Sequence, residues 1–252
     1  DLNYSNDVIY KGINISEHSR SSTLRKLLRG SLEDDDYTKD LYYRFLISSI
    51  NLIEMLERML KDEKPDRIVS SHGIYLEHGI LRSVAAKLEI PIVIWGVPYR
   101  KNCILLAHND TYHREMINEP VNLWENLELS YENNERLDNY LFSKYSGGND
   151  NVNYHPNPIL DKNKIVEKLN LDLSKPIVTL FTNVLWDAQI VYKSNAFNGL
   201  LEWIFETIEF YKTKNNIQLL IRIHPAESKG QFTTEQPILG EIEKKFTSLP
   251  EN

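Results

Sequence analysis

The sequence predicts an α/β protein with two Rossmann-like lobes, the second incomplete, and three observations carry that prediction. Arg67–Ser70 and Pro91–Trp95 are short apolar strands flanking the helical stretch Leu76–Leu88, with a tight Ser71-His72-Gly73 turn between the first strand and the helix. Strand, turn, helix, strand is a βαβ unit, whose crossover should be right-handed. Ile177–Phe181 and Ile217–Ile223 are two further apolar strands, separated by a helical pattern through Phe197, Leu200, Leu201, Ile204, Phe205, Ile208 and Tyr211. Between the two halves the composition shifts to Ser146-Gly147-Gly148-Asn149-Asp150-Asn151, followed by Pro156 and Pro158, which reads as a linker. The expected organisation is a first lobe over 1–148, a linker over 149–160 and a partial second lobe over 161–252.

The remaining elements follow in order. Val8–Ile13 reads as a strand ending in a glycine turn, and Ser21–Arg29 as a short basic helix. Glu33-Asp34-Asp35-Asp36 contains a DxD pattern, which in a sugar transferase can hold a divalent metal. The stronger reading makes these acids the N-terminal cap of the helix that follows. That helix, Thr38 to about Lys61, carries Leu41, Phe45, Leu52, Ile53, Leu56, Met59 and Leu60 at helical spacing and stops at Lys64-Pro65. Residues 99–119 read as an excursion over the sheet edge and a helix start. Asn122–Tyr145 reads as mostly helical, with Trp124, Leu127, Tyr131, Leu137, Tyr140 and Leu141 as candidate core. Lys162–Leu169 and Ile238–Phe246 complete the helices. Two strands are too few for an independent second lobe, so more chain is expected beyond Asn252; the start at Asp1 likewise suggests a trimmed piece.

Composition narrows the function classes. The net charge of −7, with acids and bases interspersed, argues against nucleic acid as the main partner. Cys103 is the only cysteine, which excludes an internal disulfide framework or a cysteine metal site and suits a reducing cytosol. No apolar run approaches the roughly 18 residues of a membrane span. GxGxxG, P-loop, GxSxG and HExxH motifs are absent.

Chemistry concentrates at strand ends, where open α/β sheets bind ligands. Ile217–Gly230 reads as a strand covered on both faces that Pro225 terminates, leaving Arg222, His224, Glu227 and Lys229 at its C-terminal edge. Thr182 and Asn183 end the other strand of this half; if the strands are neighbours, both ends face one crevice. Arg222, His224 and free helix N–H groups could neutralise a diphosphate without metal. The alternative pairs Arg222 with Glu227 and leaves His224 as a turn cap. Trp186 and Asp187 would either stack on and hydrogen-bond a sugar or anchor a loop. In the first half, His72 follows a strand and precedes a glycine turn, suiting a general base, with Glu77 and His78 close behind; a purely structural loop histidine is the competing reading. His108, Asp110 and His113 are potential ligands without an evident fourth partner.

Ser70-Ser71-His72-Gly73-Ile74-Tyr75, Leu180 to Ala188 and Arg222-Ile223-His224-Pro225-Ala226-Glu227 resemble bacterial capsule and surface-polysaccharide biosynthesis proteins, which are similar to GT-B glycosyltransferases. That resemblance implies two lobes facing across a cleft, a nucleotide-sugar donor on the second lobe, and a glycan or lipid-linked glycan acceptor. It implies phosphate contacts at His224, Arg222, Asn183 and Thr182, substrate contacts at Glu227, Trp186 and Asp187, and a front-lobe base at His72, with Glu77 or Asp110 in reserve. No metal or other cofactor is implied, since the nucleotide-sugar is a substrate. The implied location is the cytoplasm, at the inner face of the membrane beside its machinery. The chain departs from the family in ending before the segment that holds nucleotide and ribose. A nucleotide-sugar epimerase and a non-catalytic capsule-pathway binding module are the rival readings.

Overall fold

A computed structural model describes residues 4, 6–148, 150–187, 196–230 and 232–249. The expected loop segment from Ala188 to Tyr192 and the linker residue Asn149 lie outside the described residues. The chain is mixed α/β and forms two compact units. The front unit comprises Ser5–Ser19 and Tyr43–Pro158; the back unit comprises Asp1–Tyr4, Arg20–Tyr42 and Ile159–Asn252. The sequence reading assigns everything before residue 149 to one lobe, whereas Arg20–Tyr42 group with the later residues. Local contacts explain this: Gln236 Oε1 accepts from Gly30 N–H, Glu235 N–H donates to Leu28 O, and Leu185 packs so close to Gly30 that a β-carbon would lie 2.6 Å from it.

The front unit opens with the antiparallel hairpin β1 (Ile9–Tyr10) and β2 (Ile13–Asn14), turned by Lys11 and Gly12 at positive φ. Helix α1 (Ile15–Leu27) begins six residues before the expected start, Ser21. Its buried residues include Ser16, His18, Ser19, Ser22 and Thr23, so no apolar stripe announces the helix. Asn14 Oδ1 accepts from Ser16 N–H and Ser16 Oγ–H at the helix start. Ser19 Oγ–H donates to Ile15 O.

Helix α2 (Asp36–Glu63) is capped by Asp35, whose carboxylate accepts from Thr38 N–H (2.9 Å) and Thr38 Oγ1–H (2.6 Å). The capping reading of the acidic run therefore has its hydrogen bonds. The buried stripe is Tyr42, Leu46, Ser49, Ile53, Leu56 and Leu60, and Met59 is exposed. The expected stripe through Leu41 and Phe45 is one residue off because Ser49 occupies a core position. Ile53, fully buried, should be the most sensitive position: Ile53→Ala is expected to cost about 2–5 kcal/mol, measurable by urea denaturation.

Strand β3 (Ile68–Ser71), helix α3 (Leu76–Lys87) and strand β4 (Ile92–Gly96) form the expected βαβ unit, with β3 and β4 parallel from Ile68↔Ile92 to Ser71↔Trp95. The excursion contributes a third strand, β5 (Leu105–His108), antiparallel to β4, so this sheet is mixed. Ala85, Ile92, Ile94 and Ala107 form its core, joined by Leu81 and Tyr112. Helix α4 (Tyr112–Asn118) follows, then α5 (Val121–Glu125) and α6 (Tyr131–Tyr145). Trp124, Leu127, Tyr131, Leu137 and Leu141, expected in a core, are exposed; only Tyr140 is half-buried. On α6 the apolar residues Tyr131, Leu137, Leu141, Phe142 and Tyr145 share one face of the helix, yet each of them is exposed among the described residues.

The later segment of the back unit, from Ile159 onward, begins with α7 (Lys162–Leu169), capped by Asp161 and closed by Asn170 in the left-handed region. Strands β6 (Ile177–Phe181) and β7 (Gln218–Arg222) are parallel, Ile177↔Gln218 to Phe181↔Arg222, with α8 (Leu200–Tyr211) between them in sequence. The short α9 (Ala226–Lys229) and α10 (Ile238–Lys245) follow. Leu180, Leu185, Ile204, Ile208, Ile238, Ile242 and Phe246 make the core. β7 is half-buried along Leu219–Ile221 rather than covered on both faces, because the described sheet here has two strands.

Candidate functional site

The two strands of the back unit end together. Thr182 N–H extends the ladder to Arg222 O (3.1 Å), and Thr182 Oγ1 accepts from His224 N–H (3.1 Å). Thr182 is buried, Asn183 and Arg222 are exposed, and His224 is half-buried. Asn183 Oδ1 accepts from Val184 N–H, tightening the turn after β6. His224 Nδ1 accepts Ala226 N–H (3.1 Å), which leaves the ring proton on Nε2. Burial pulls the His224 pKa below its usual range; Asp187 opposes this and Arg222 reinforces it. The neutral imidazole thus carries its proton on Nε2 and feels the charge of Arg222.

The helix N–H groups that the sequence offers to a phosphate are already occupied. Pro225 has none, Ala226 N–H goes to His224 Nδ1, and Glu227 N–H goes to His224 O. Ser228 and Lys229 N–H both donate to Pro225 O. The first turn of α9 therefore offers an anion no unengaged N–H group.

Glu227 is buried, and its carboxylate accepts Ile238 N–H at 3.2 and 3.3 Å, capping α10. Burial raises its pKa, with the Ile238 N–H working against that. Trp186 is buried too: its Nε1–H donates to Thr234 Oγ1 (3.0 Å), and the Arg25 guanidinium lies 5.5 Å from the ring centroid. These contacts match the loop-anchor reading of Trp186. Asp187 Oδ1 pairs with Arg25 at 3.1 Å. Arg25 comes from α1, 162 positions away in sequence, and no strand-end motif points to it.

In the front unit, His72 and Gly73 take φ of +62° and +77° at the turn from β3 to α3. The left-handed conformation costs a histidine roughly 1–2 kcal/mol, and such strain is concentrated at functional sites. Neighbours hold the turn: His72 N–H donates to Trp95 O, Thr111 Oγ1–H to His72 O, and Arg82 Nε–H to Gly73 O. The His72 ring packs against Tyr75 (4.8 Å between centroids), His113 (5.6 Å) and Tyr112 (6.2 Å).

Glu77 is exposed in the first turn of α3. Asp110 accepts Thr111 N–H and pairs with Arg82 (3.2 Å) and Arg114 (3.6 Å), while Arg114 also pairs with Glu17. Burial lowers the Arg82 pKa, and Asp110 counters that. His78 brings its two ring nitrogens to Ser70 Oγ (3.1 Å) and Ser71 Oγ (3.3 Å). Among the described residues, no three His, Cys, Asp or Glu side chains are grouped to hold a metal ion, and no helix is long and apolar enough to cross a membrane.

The sequence reading missed Arg25, Arg82, Arg114 and His18. Each owes its place to tertiary packing rather than to a local motif; His18 alone sits in a serine-rich helix start that could have drawn notice. Comparison of the chain with family models, curated proteins and solved structures finds no match.

Proposed function

We propose that the chain is a glycosyltransferase that moves a sugar, without a metal ion, from a nucleotide-sugar donor to a capsular or surface polysaccharide or a lipid-linked acceptor. In this reading the two units are Rossmann-like lobes of GT-B type, and the enzyme works in the cytoplasm at the inner face of the membrane. The observation that carries it is the joined end of β6 and β7, where the Thr182–His224 hydrogen bond sets Arg222 and a neutral imidazole at the C-terminal edge of parallel strands. Departure of a nucleotide leaves charge on a phosphate oxygen. Arg222 stabilises that charge by a charge-assisted hydrogen bond and His224 by its Nε2–H, its ring already oriented by the bond from Ala226 N–H to Nδ1. His72, on its strained turn, takes the proton of the acceptor hydroxyl.

Isothermal titration of the full-length protein against CMP, CDP, UDP and GDP tests the reading. One nucleotide should bind with an affinity that Arg222→Ala weakens about tenfold, the scale of one lost charge-assisted contact. Failure of the entire panel to bind would sink it.

A further inference from the structure

Arg25 is a cation of the back-unit corner that the proposed function leaves unused. Its guanidinium is fixed on two sides, by the Trp186 ring beneath it and by Asp187 Oδ1 at 3.1 Å. Asp187 and Arg222 both act electrostatically on His224, in opposite directions. Arg25 is thus tied, through its ion pair with Asp187, to a carboxylate whose charge reaches His224.

We propose that Arg25 is a phosphate-binding residue of this corner and that Asp187 holds it ready by occupying its anion-binding face until ligand arrives. The inference rests on the donor-phosphate reading above. Three observations support it. The α9 N–H groups are engaged within their own turn, so that helix does not meet the phosphate charge and side-chain cations at the corner carry it. Arg25 is 41% exposed, so an incoming oxyanion can reach a guanidinium whose orientation the indole already fixes. Asp187 is itself 42% exposed, and a half-exposed ion pair holds its partners weakly enough to exchange one carboxylate for a phosphate oxygen.

The proposal makes the two partners of one ion pair move binding in opposite directions. With inorganic pyrophosphate as probe, titrated into the full-length protein, Arg25→Gln should weaken binding about tenfold. Asp187→Asn removes the competing carboxylate and should tighten binding about threefold, more so at low salt. A purely structural clamp predicts the reverse symmetry: both variants would lose thermal stability and neither would bind more tightly. Wild-type binding that Arg25→Gln leaves unchanged overturns the role of Arg25 alone. Absence of pyrophosphate and nucleotide binding by the wild type overturns the donor-phosphate reading beneath it. Asp187→Asn binding more weakly than wild type overturns the role given to Asp187. Melting curves of both variants confirm that the altered affinity belongs to folded protein.

Discussion

Under the proposed glycosyltransferase reading, His224→Ala is expected to lower kcat of the full-length protein by about 10²–10³-fold, the loss typical of removing one donor to charge that develops in a transition state. The fold should survive, since the ring is half-buried at a turn rather than part of the core. The two ring nitrogens have separable duties, which permits a finer test. Nδ1 accepts Ala226 N–H and holds the turn, whereas Nε2–H is the donor assigned to phosphate. Asparagine can replace the Nδ1 acceptor but cannot reach as far as Nε2; glutamine places an amide N–H near the Nε2 position and loses the turn bond. His224→Asn should therefore lose turnover like alanine while keeping wild-type stability. His224→Gln should keep part of the turnover with a slightly lowered melting temperature. If asparagine kept near-wild-type kcat, the catalytic duty of Nε2 would be wrong; the turn-cap reading would then account for the residue entirely.

The strand ends were legible in the sequence because they rest on local signals. An apolar run stopped by Pro225 fixes where β7 ends, and the helical pattern between the two apolar runs makes β6 and β7 parallel neighbours, as Phe181↔Arg222 pairing shows. The βαβ unit was legible for the same reason. What the sequence obscures is burial without hydrophobicity. Helix α1 buries serines, a threonine and a histidine, satisfied by hydrogen bonds such as Ser19 Oγ–H to Ile15 O, and no apolar periodicity records them. Ser49 similarly displaced the expected stripe of α2. The opposite failure occurs on α5 and α6, where large apolar residues suggested a core that the described chain does not place there. At the site, the sequence left Trp186 open between a sugar contact and a loop anchor, and its contacts with Thr234 and Arg25 fit the anchor. The Glu227 carboxylate capping α10 is a tertiary outcome that no local pattern encodes.

Gly79→Ala is expected to destabilise the front unit by about 3 kcal/mol, combining overpacking with the loss of a buried hydrogen bond. A methyl group there would lie 2.5 Å from both Ile74 O and His18 Cε1, where no neighbour can retreat without breaking the contact between His18 Nδ1 and Ile74 O, at 2.7 Å. A carbonyl can only accept, so Nδ1 carries a proton; Nε2 faces Ser83 Oγ at 3.2 Å. Ile74 follows the strained His72-Gly73 pair, so this one bond ties the turn to α1. The His18 ring is almost fully buried, and that burial lowers its pKa; the Ile74 carbonyl and Glu17 oppose the shift, while Arg82 and Arg114 add to it. The unfolded chain takes up this proton as pH falls through about 6.5, whereas the native state resists it. The unfolded state therefore binds more protons in that window, and stability must fall as pH drops below it and stay level above it. His18→Asn can keep a donor to Ile74 O at the Nδ1 position but has nothing to titrate. Urea midpoints at pH 7.5 and pH 5.5 should differ more for the wild type than for His18→Asn. An unchanged gap would mean that other groups carry the acid sensitivity and that His18 is a neutral fixture. Gly79→Ala with a wild-type midpoint would show that α1 and α3 part easily, and the turn carrying His72 would then owe its conformation to Trp95 and Thr111 instead.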